Sequence, residues 1–321
     1  MTALDALTQP VVLFFLLGAL AAFARSDLAV PEAVAKGLSL YLMMAIGLRG
    51  GAEVAHFGAS PQMGLAMAAG IGLSFLLPLP VFFLLRAAAR LDRTNAAAVA
   101  AHYGSVSVVT FATGSELLRQ HGLPAAGYMV AVLAVMETPA IITGLALARA
   151  GRRGRDELAP RGGLLHETFL NGSVVLLLGS FLIGMLAGDH GLAPIRPVYD
   201  GLFRGLLCLF LLDMGLIAAR RLMDGRALTA RTVAFAILIP IVQGALGVAL
   251  GTALGLGPGT SALLGILAGS ASYIAVPAVM RLALPVADPG LYLGMSLAVT
   301  FPFNLTLGIP CYIWIAERLG A

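Results

Sequence analysis

Long apolar runs separated by short polar gaps dominate this chain. A run of about twenty mostly apolar residues is what an α-helix needs to cross a hydrocarbon layer about 30 Å thick. Such runs lie near residues 10–24, 32–49, 61–86, 95–119, 124–148, 168–187, 200–219, 230–255, 260–282 and 290–316. The pattern predicts an all-α integral membrane protein with about ten transmembrane helices.

Composition supports the same class. Of the 321 residues, 59% are hydrophobic and only 11% are charged, whereas a soluble domain carries about a quarter charged residues. The net charge of +4 does not indicate nucleic-acid binding, because the basic residues form no continuous face and sit in the gaps between apolar runs. Cys208 and Cys311 lie inside apolar runs and are interpreted as small buried hydrophobes.

The basic residues predict an orientation. If the N-terminus lies on side A and the chain changes sides at each span, five of the 20 basic residues fall on side A and fifteen on side B. The side-A residues are Arg49, Arg119, Arg196, Arg204 and Arg318. By the positive-inside rule, side B is cytoplasmic and both termini are extracytoplasmic. Residues 1–9 contain no Lys or Arg, so the first run is interpreted as a retained helix rather than a signal peptide.

Matching short elements predict an internal repeat. Gly104-Ser105-Val106-Ser107 recurs as Gly269-Ser270-Ala271-Ser272, 165 residues later. Tyr128 and Pro139 recur as Tyr292 and Pro302, with offsets of 164 and 163. A third match, from Ala45-Ile46-Gly47-Leu48 to Asp213-Met214-Gly215-Leu216, has an offset of 168. Because five is odd, two five-helix halves must be inverted, as in many secondary transporters. The halves are residues 1–150 and 168–321, joined by a cytoplasmic linker over 151–167.

The two Gly-Ser-x-Ser elements are candidates for helix breaks in the fourth and ninth spans. Gly loosens a helix, and Ser hydroxyls can bond the backbone groups that a break releases. Inverted symmetry would then direct two helix N-termini at one point, forming an anion site without Lys or Arg. Tight helix packing through small residues is the alternative interpretation. The anion-binding candidates are Gly104, Ser105, Ser107, Thr110, Gly269, Ser270, Ser272 and Tyr273.

Acidic residues within the spans are candidates for cation coupling. Glu137 lies two residues before Pro139, and Asp213 lies in the middle of the seventh span. A carboxylate at that depth costs about 3 kcal/mol or more, which Na⁺ or a proton would offset. A neutral acid that holds helices together is the alternative for both. The cation-coupling candidates are Glu137, Thr138, Asp213, Thr300 and Asn304, with Na⁺ placed near Glu137. His102, just before the first break, is interpreted as a packing residue.

At these elements the chain resembles the sodium-dependent bicarbonate transporter family first known from cyanobacteria. The resemblance runs nearly end to end. It rests on Pro31-Glu32-Ala33, Ile46 to Gly51, Gly104 to Ser107, Pro139-Ala140 and Leu202 to Leu207, of which Phe203-Arg204-Gly205-Leu206-Leu207 is the most specific. The resemblance implies two inverted five-helix repeats divided into gate and core domains. It also implies a homotrimer in the bacterial inner membrane, Na⁺-coupled bicarbonate uptake and no further cofactor.

The chain also departs from that family pattern. Tyr273 stands where the family has an acidic residue, and Glu137 stands where it has Asp. Val108, Val109 and Ala271 replace smaller or more polar residues. With Tyr273 in place of an acid, fewer fixed negative charges remain to bind Na⁺. The linker of about twenty residues is much shorter than the family's. The resemblance also implies a PII-like regulatory partner.

Three classes of function compete on this evidence. The first is cation-coupled transport of a small anion, with bicarbonate first and a small carboxylate second. The second is a cation/proton exchanger with Glu137 or Asp213 as the carrier. The third, an intramembrane enzyme, is disfavoured because the chain has no Ser/His/Asp set, zinc-protease motif or phosphate loop.

Overall fold

All regular secondary structure in the described part of the chain is helical. The structure is a computed structural model, and it describes residues 8–58, 60–150, 172–223 and 228–320. Apart from their end turns, helices satisfy their backbone donors and acceptors internally, which is what an environment without water requires. The linker assigned to 151–167 and the first seven residues lie outside the described ranges.

Seven helical segments are long and apolar enough to cross a membrane. They are Glu32–His56, Pro61–Ala87, Arg93–Gln120, Met129–Arg149, Val175–Ile195, Ala230–Ala253 and Pro289–Leu319. Pro10–Phe23 and Pro258–Ala268 are shorter apolar helices. Length and hydropathy therefore support a multi-pass membrane protein with seven candidate spans in the described residues, three fewer than the ten expected from the sequence.

The first two helices are α1 (Pro10–Phe23) and α2 (Glu32–Phe57). The expected end of the second span at residue 49 is wrong, because α2 continues through Gly50 and Gly51 to Phe57. The helix stops at Gly58, whose φ of 78° places it in the left-handed region that favours glycine. Arg49 therefore lies within the helix rather than after it.

Helices α3 (Pro61–Leu76) and α4 (Pro78–Ala87) form one kinked rod, with Pro78 at the junction. A proline cannot donate the backbone hydrogen bond that would continue a helix, so the kink has a local cause. Helices α5 (Arg93–Gly104) and α6 (Val108–Gln120) follow as a second interrupted rod. The next two helices are α7 (Met129–Val135) and α8 (Glu137–Arg149).

The second half of the chain begins with α9 (Gly172–Leu192), which is kinked at Gly188, and continues through α10 (Phe203–Met223). Helix α11 (Ala230–Ala253) contains Pro240. Helices α12 (Pro258–Ala268) and α13 (Ala275–Ala283) are again separated by an interruption. The last rod consists of α14 (Pro289–Leu293), α15 (Phe301–Phe303) and α16 (Ile309–Leu319), joined by π-helical turns over 294–300 and 304–308.

Glycines allow two helix pairs to pack backbone to backbone. Helix α2 packs along α9, and α1 packs along α10. A Cβ at Gly51 would overlap the Phe181 carbonyl of α9, and one at Gly18 would overlap the Leu212 carbonyl of α10. In lipid there is little hydrophobic drive between helices, so this close approach supplies the dispersion energy that holds the pairs together.

The remaining helices form a second packed group. Helix α5 lies against α4 and α8, and α12 lies in the same way against α11 and α16. Residues Ala96 to Ala101 of α5 and Ala262 to Ala268 of α12 are almost fully buried, so both helices run through the centre of this group. The interruptions after α5 and α12 therefore lie deep inside the protein.

Candidate functional site at two facing helix breaks

The first break spans Ser105 to Ser107. Helix α5 ends at Gly104 and α6 begins at Val108, as the sequence predicts. The Ser107 hydroxyl caps α6 by accepting the Thr110 N–H at 3.1 Å. Gly104 lies against the Pro78 ring, where any Cβ would overlap. A glycine ends α5 here because only a glycine fits beside the proline.

The second break repeats this arrangement between α12 and α13. Helix α12 ends at Ala268 and α13 begins at Ala275. The Ser270 hydroxyl donates to the Leu267 carbonyl at 2.7 Å, and the Val276 N–H lies 3.4 Å from the Ser272 hydroxyl. A Cβ at Gly269 would meet the backbone carbonyl of Pro240 at 2.8 Å. Both breaks therefore contain a glycine that abuts a proline of the preceding rod.

The two breaks are hydrogen-bonded to each other. The Ser107 N–H donates to the Ser270 hydroxyl at 3.0 Å, and the Ser272 N–H donates to the His102 carbonyl at 2.9 Å. Backbone groups released by one break thus find their partners in the other, as buried polar groups require. The structure brings both Gly-Ser-x-Ser elements to one place, and we call this pair of segments the crossover.

A small cavity lies at the crossover. Its polar lining consists of Ser107, Glu137, Ser272 and Tyr273, and the other lining residues are Met43, Val106, Val108 and Ile274. Its volume of about 10 Å³ is close to the minimum for one water molecule. The lining thus includes the first residue of α6 and no basic side chain among the described residues. The first-turn amides of a helix have no intrahelical acceptor; in α6 Ser107 accepts that of Thr110, and those of Val108 and Val109 remain available to an anion.

Glu137 places a carboxyl group at this cavity. Its residue is 6% exposed, and it begins α8 directly after the junction at Met136. Ser105 donates to its backbone carbonyl at 3.3 Å, and no described residue hydrogen-bonds to its carboxylate. A buried, unpaired carboxylate is costly, so the arrangement favours a cation or a proton as its partner.

The Ser74 hydroxyl bridges backbone groups at the helix interruption beside Glu137, a role that sequence reasoning missed. Its hydroxyl donates to the Met136 carbonyl at 2.6 Å and accepts the Ala140 N–H at 3.1 Å. It therefore stands in for the direct Ala140-to-Met136 helix bond next to Pro139, where the ring disturbs the ladder. Nothing in the sequence around Ser74 distinguishes it from other serines in apolar runs.

Thr300 and Asn304 are committed to protein partners. The Thr300 hydroxyl donates to the Ala236 carbonyl at 2.6 Å, which lies four residues before Pro240 and so lacks a helical donor. The Tyr103 hydroxyl lies 2.6 Å from the same oxygen of Thr300. Asn304 donates its amide to the Gly269 carbonyl at 2.8 Å. Both side chains form hydrogen bonds that stabilise the protein around the crossover, and neither lines its cavity.

Three other candidates have distinct positions. Asp213 lies in α10, buried at 6% exposure, and it does not line the crossover cavity. Thr138 is equally buried and also outside the lining. Tyr273 lines the cavity; its hydroxyl lies beside Ser107 without reaching hydrogen-bond geometry, and its ring packs against Phe301 with centroids 5.2 Å apart.

His102 is fully buried and packs against its neighbours, but its Nε2 has no hydrogen-bond partner among the described residues. Its Nδ1 lies 2.7 Å from the Ala98 carbonyl and must carry the proton, since the carbonyl can only accept. Its ring stacks on Tyr292 with centroids 4.6 Å apart. No three His, Cys, Asp or Glu side chains come together as a metal-binding group anywhere in the described ranges.

Comparison with known proteins adds one match. A sequence model of the Na⁺-dependent bicarbonate transporter superfamily matches residues 10–317, nearly the whole chain. No curated protein matches the chain significantly. The family resemblance inferred from the short motifs is thereby confirmed. The chain belongs to the Na⁺-dependent bicarbonate transporter superfamily.

Proposed function

We propose that this protein is a secondary transporter that carries a small anion, bicarbonate first, into the cell together with Na⁺. Its family consists of transporters rather than enzymes. The observation that carries the proposal is the crossover, where α6 begins at the edge of a cavity that also holds the Glu137 carboxylate. Helix amides suit an oxyanion and a carboxylate suits a cation, so one cavity offers groups for both.

We further propose that the fold has ten transmembrane helices in two inverted repeats. The packing supports this. If α1 corresponds to α9 and α2 to α10, the repeat relates the α2–α9 contact to the α1–α10 contact. Gly104 against Pro78 likewise corresponds to Gly269 against Pro240, with offsets of 165 and 162 residues. The gate domain would then comprise α1, α2, α9 and α10, and the core domain the remaining helices.

An uptake assay tests the proposed substrate and coupling ion. Purified protein in proteoliposomes should take up [¹⁴C]bicarbonate faster when an inward Na⁺ gradient is imposed. A panel of formate, acetate and nitrate as competitors ranks the anions. Na⁺ uptake that does not respond to any of these anions would instead indicate a cation/proton exchanger, which the family assignment does not support.

Ser107→Ala and Ser272→Ala are each expected to weaken bicarbonate binding about tenfold, because each removes one hydroxyl from the cavity lining. The loss should appear in binding to purified protein that remains folded by size-exclusion chromatography. Ser296→Ala is the matched control, since this serine is fully buried and bonds the Tyr292 carbonyl away from the cavity. Unchanged binding in both cavity variants would show that the breaks serve helix packing rather than anion binding.

The proposed orientation, with both termini outside the cytoplasm, follows from the distribution of arginines between the two sides. In a variant without Cys208 and Cys311, a cysteine at Arg196 should react with an impermeant maleimide in intact cells. A cysteine at Arg231 should react only after the membrane is opened. Both parent side chains are exposed, so accessibility within the protein does not limit the reaction. The opposite labelling pattern would invert the topology.

A further inference from the structure

A second and larger cavity lies toward side A, between α2, α6 and the start of α7. We call it the vestibule. Its volume is about 160 Å³, against about 10 Å³ at the crossover, so it has room for several water molecules or a small anion. Arg49 and Glu53 of α2 line it opposite Ser115, Glu116 and Arg119 of α6.

The carboxylates of the vestibule are already bonded to protein groups. Glu116 is almost fully buried and accepts from Arg204 Nε at 2.6 Å, from Arg119 at 2.7 Å and from Gln120 at 2.9 Å. Its bond to Arg204 joins α6 to α10. Glu116 thus has little capacity left for a cation.

Glu53 is held in a similar way by the backbone. Its Oε1 accepts the Gly127 N–H at 2.9 Å, which joins α2 to the segment before α7. A Cβ on Gly127 would meet the Glu53 carboxylate oxygen at 2.8 Å, so this approach is close. The two acids therefore connect helices around the vestibule.

The buried side-chain atoms of the lining that have no hydrogen-bond partner among the described residues, Arg49 Nε and Ser115 Oγ, can both donate. One terminal nitrogen of Arg49 bonds Asp200, at 2.5 Å to its carboxylate and 3.0 Å to its carbonyl, but Arg49 Nε has no partner among the described residues. The Ser115 hydroxyl also has none. Arg119 keeps half of its side chain exposed. Buried donors without acceptors cost about 1–3 kcal/mol each, and an oxyanion would supply the missing acceptors.

We propose that the vestibule is a second anion site, in which Arg49, Ser115 and Arg119 hold a small oxyanion of the carboxylate or carbonate class. Ser115 and Arg119 are four residues apart on α6 and so share one helix face. A guanidinium and a hydroxyl together match the geometry of a planar oxyanion. Only the identity of the anion rests on the proposed function.

The vestibule lies on a route to the crossover. Ala112 lines both the vestibule and a small apolar cavity, and that cavity shares Met43, Val108 and Ile274 with the crossover cavity. Ser115 is eight residues beyond Ser107 on the same helix, a rise of about 12 Å. An anion held in the vestibule would therefore wait about 12 Å from the proposed substrate site, behind an apolar constriction.

Counting bound anions tests this proposal. The probe is [¹⁴C]bicarbonate, measured by scintillation proximity on the full-length purified protein. Wild type should bind two ions per chain. Arg119→Gln should bind one, with the remaining ion lost on adding Ser107→Ala and Ser272→Ala. Arg318→Gln is the control, because this arginine is also assigned to side A and does not line the vestibule.

The outcomes separate the two proposals. One ion per chain, lost in the crossover variant and kept in Arg119→Gln, would overturn the vestibule site and leave the proposed function standing. One ion lost only in Arg119→Gln would support the vestibule site and contradict the crossover site. Arg119→Lys retains the charge and should restore part of the binding if the anion contacts this side chain. Binding of ²²Na⁺ that Glu53→Gln removes, with a bicarbonate count that Arg119→Gln leaves unchanged, would overturn an anion site in the vestibule.

Discussion

Replacing Gly51 with alanine is expected to force α2 and α9 apart and to lower the free energy of unfolding by on the order of 3 kcal/mol. The added Cβ would overlap the Phe181 carbonyl, and the next nearest atom is the Met185 backbone nitrogen at 2.6 Å. Both neighbours are backbone atoms of a packed helix, so no side-chain rotation can relieve the overlap. The two helices would have to separate along their length.

Gly37→Ala is the matched control for this change. It lies on the same helix, is exposed, and a Cβ there would meet nothing within 4 Å. Because alanine favours helix by about 1 kcal/mol over glycine, this variant should be neutral or slightly more stable. Melting temperatures of the detergent-purified proteins compare the two. Equal melting temperatures would show that α2 and α9 pack less closely than described.

Glu137→Gln is expected to abolish the dependence of bicarbonate binding on Na⁺ while leaving part of the binding itself. The carboxylate lines the crossover cavity and has no hydrogen-bond partner among the described residues. A cation is what would stabilise its charged form in lipid. Glutamine keeps the shape and removes the charge, so the energetic reason for binding the cation disappears. If a proton replaces Na⁺, the response to pH should disappear as well.

Binding measured against Na⁺ concentration at two pH values tests the role of Glu137. Asp213→Asn provides the comparison, because it removes a second buried acid that does not line the cavity. We expect Asp213→Asn to keep the wild-type Na⁺ response. If Asp213→Asn lost the Na⁺ dependence of binding and Glu137→Gln kept it, the coupling site would lie at Asp213 in α10.

The helix breaks could be predicted because their cause is local. Gly and Ser within an apolar run weaken a helix wherever they occur, and the observed interruptions lie at Ser105–Ser107 and Gly269–Ile274. The proline partners of Gly104 and Gly269 were not among the predicted elements, although Pro78 and Pro240 are 162 residues apart. That offset is close to the one that related the other repeated elements.

The contacts that complete the site could not be predicted, because they depend on which helices meet. Ser74 reaches the backbone at Met136 from a different rod, and Tyr103 reaches Thr300 across 197 residues. The length of α2 was misjudged because Gly50-Gly51 resembles a helix end. These glycines instead continue the helix, and Gly51 serves its contact with α9. In lipid, a glycine pair can mark a packing face as well as a terminus.

The hydrogen bonds between the two breaks also limit how this protein can evolve. Ser270 accepts from Ser107 and His102 accepts from Ser272, so each half of the chain completes the backbone of the other. Any residue at position 102 offers the same backbone carbonyl, but the Ser107 N–H depends on a hydroxyl at position 270 in the other half. If recombination joined the first half of this chain to the second half of a diverged relative, the two breaks in the product would have evolved separately. The two breaks therefore have to be inherited together, although they are encoded in different halves of the gene.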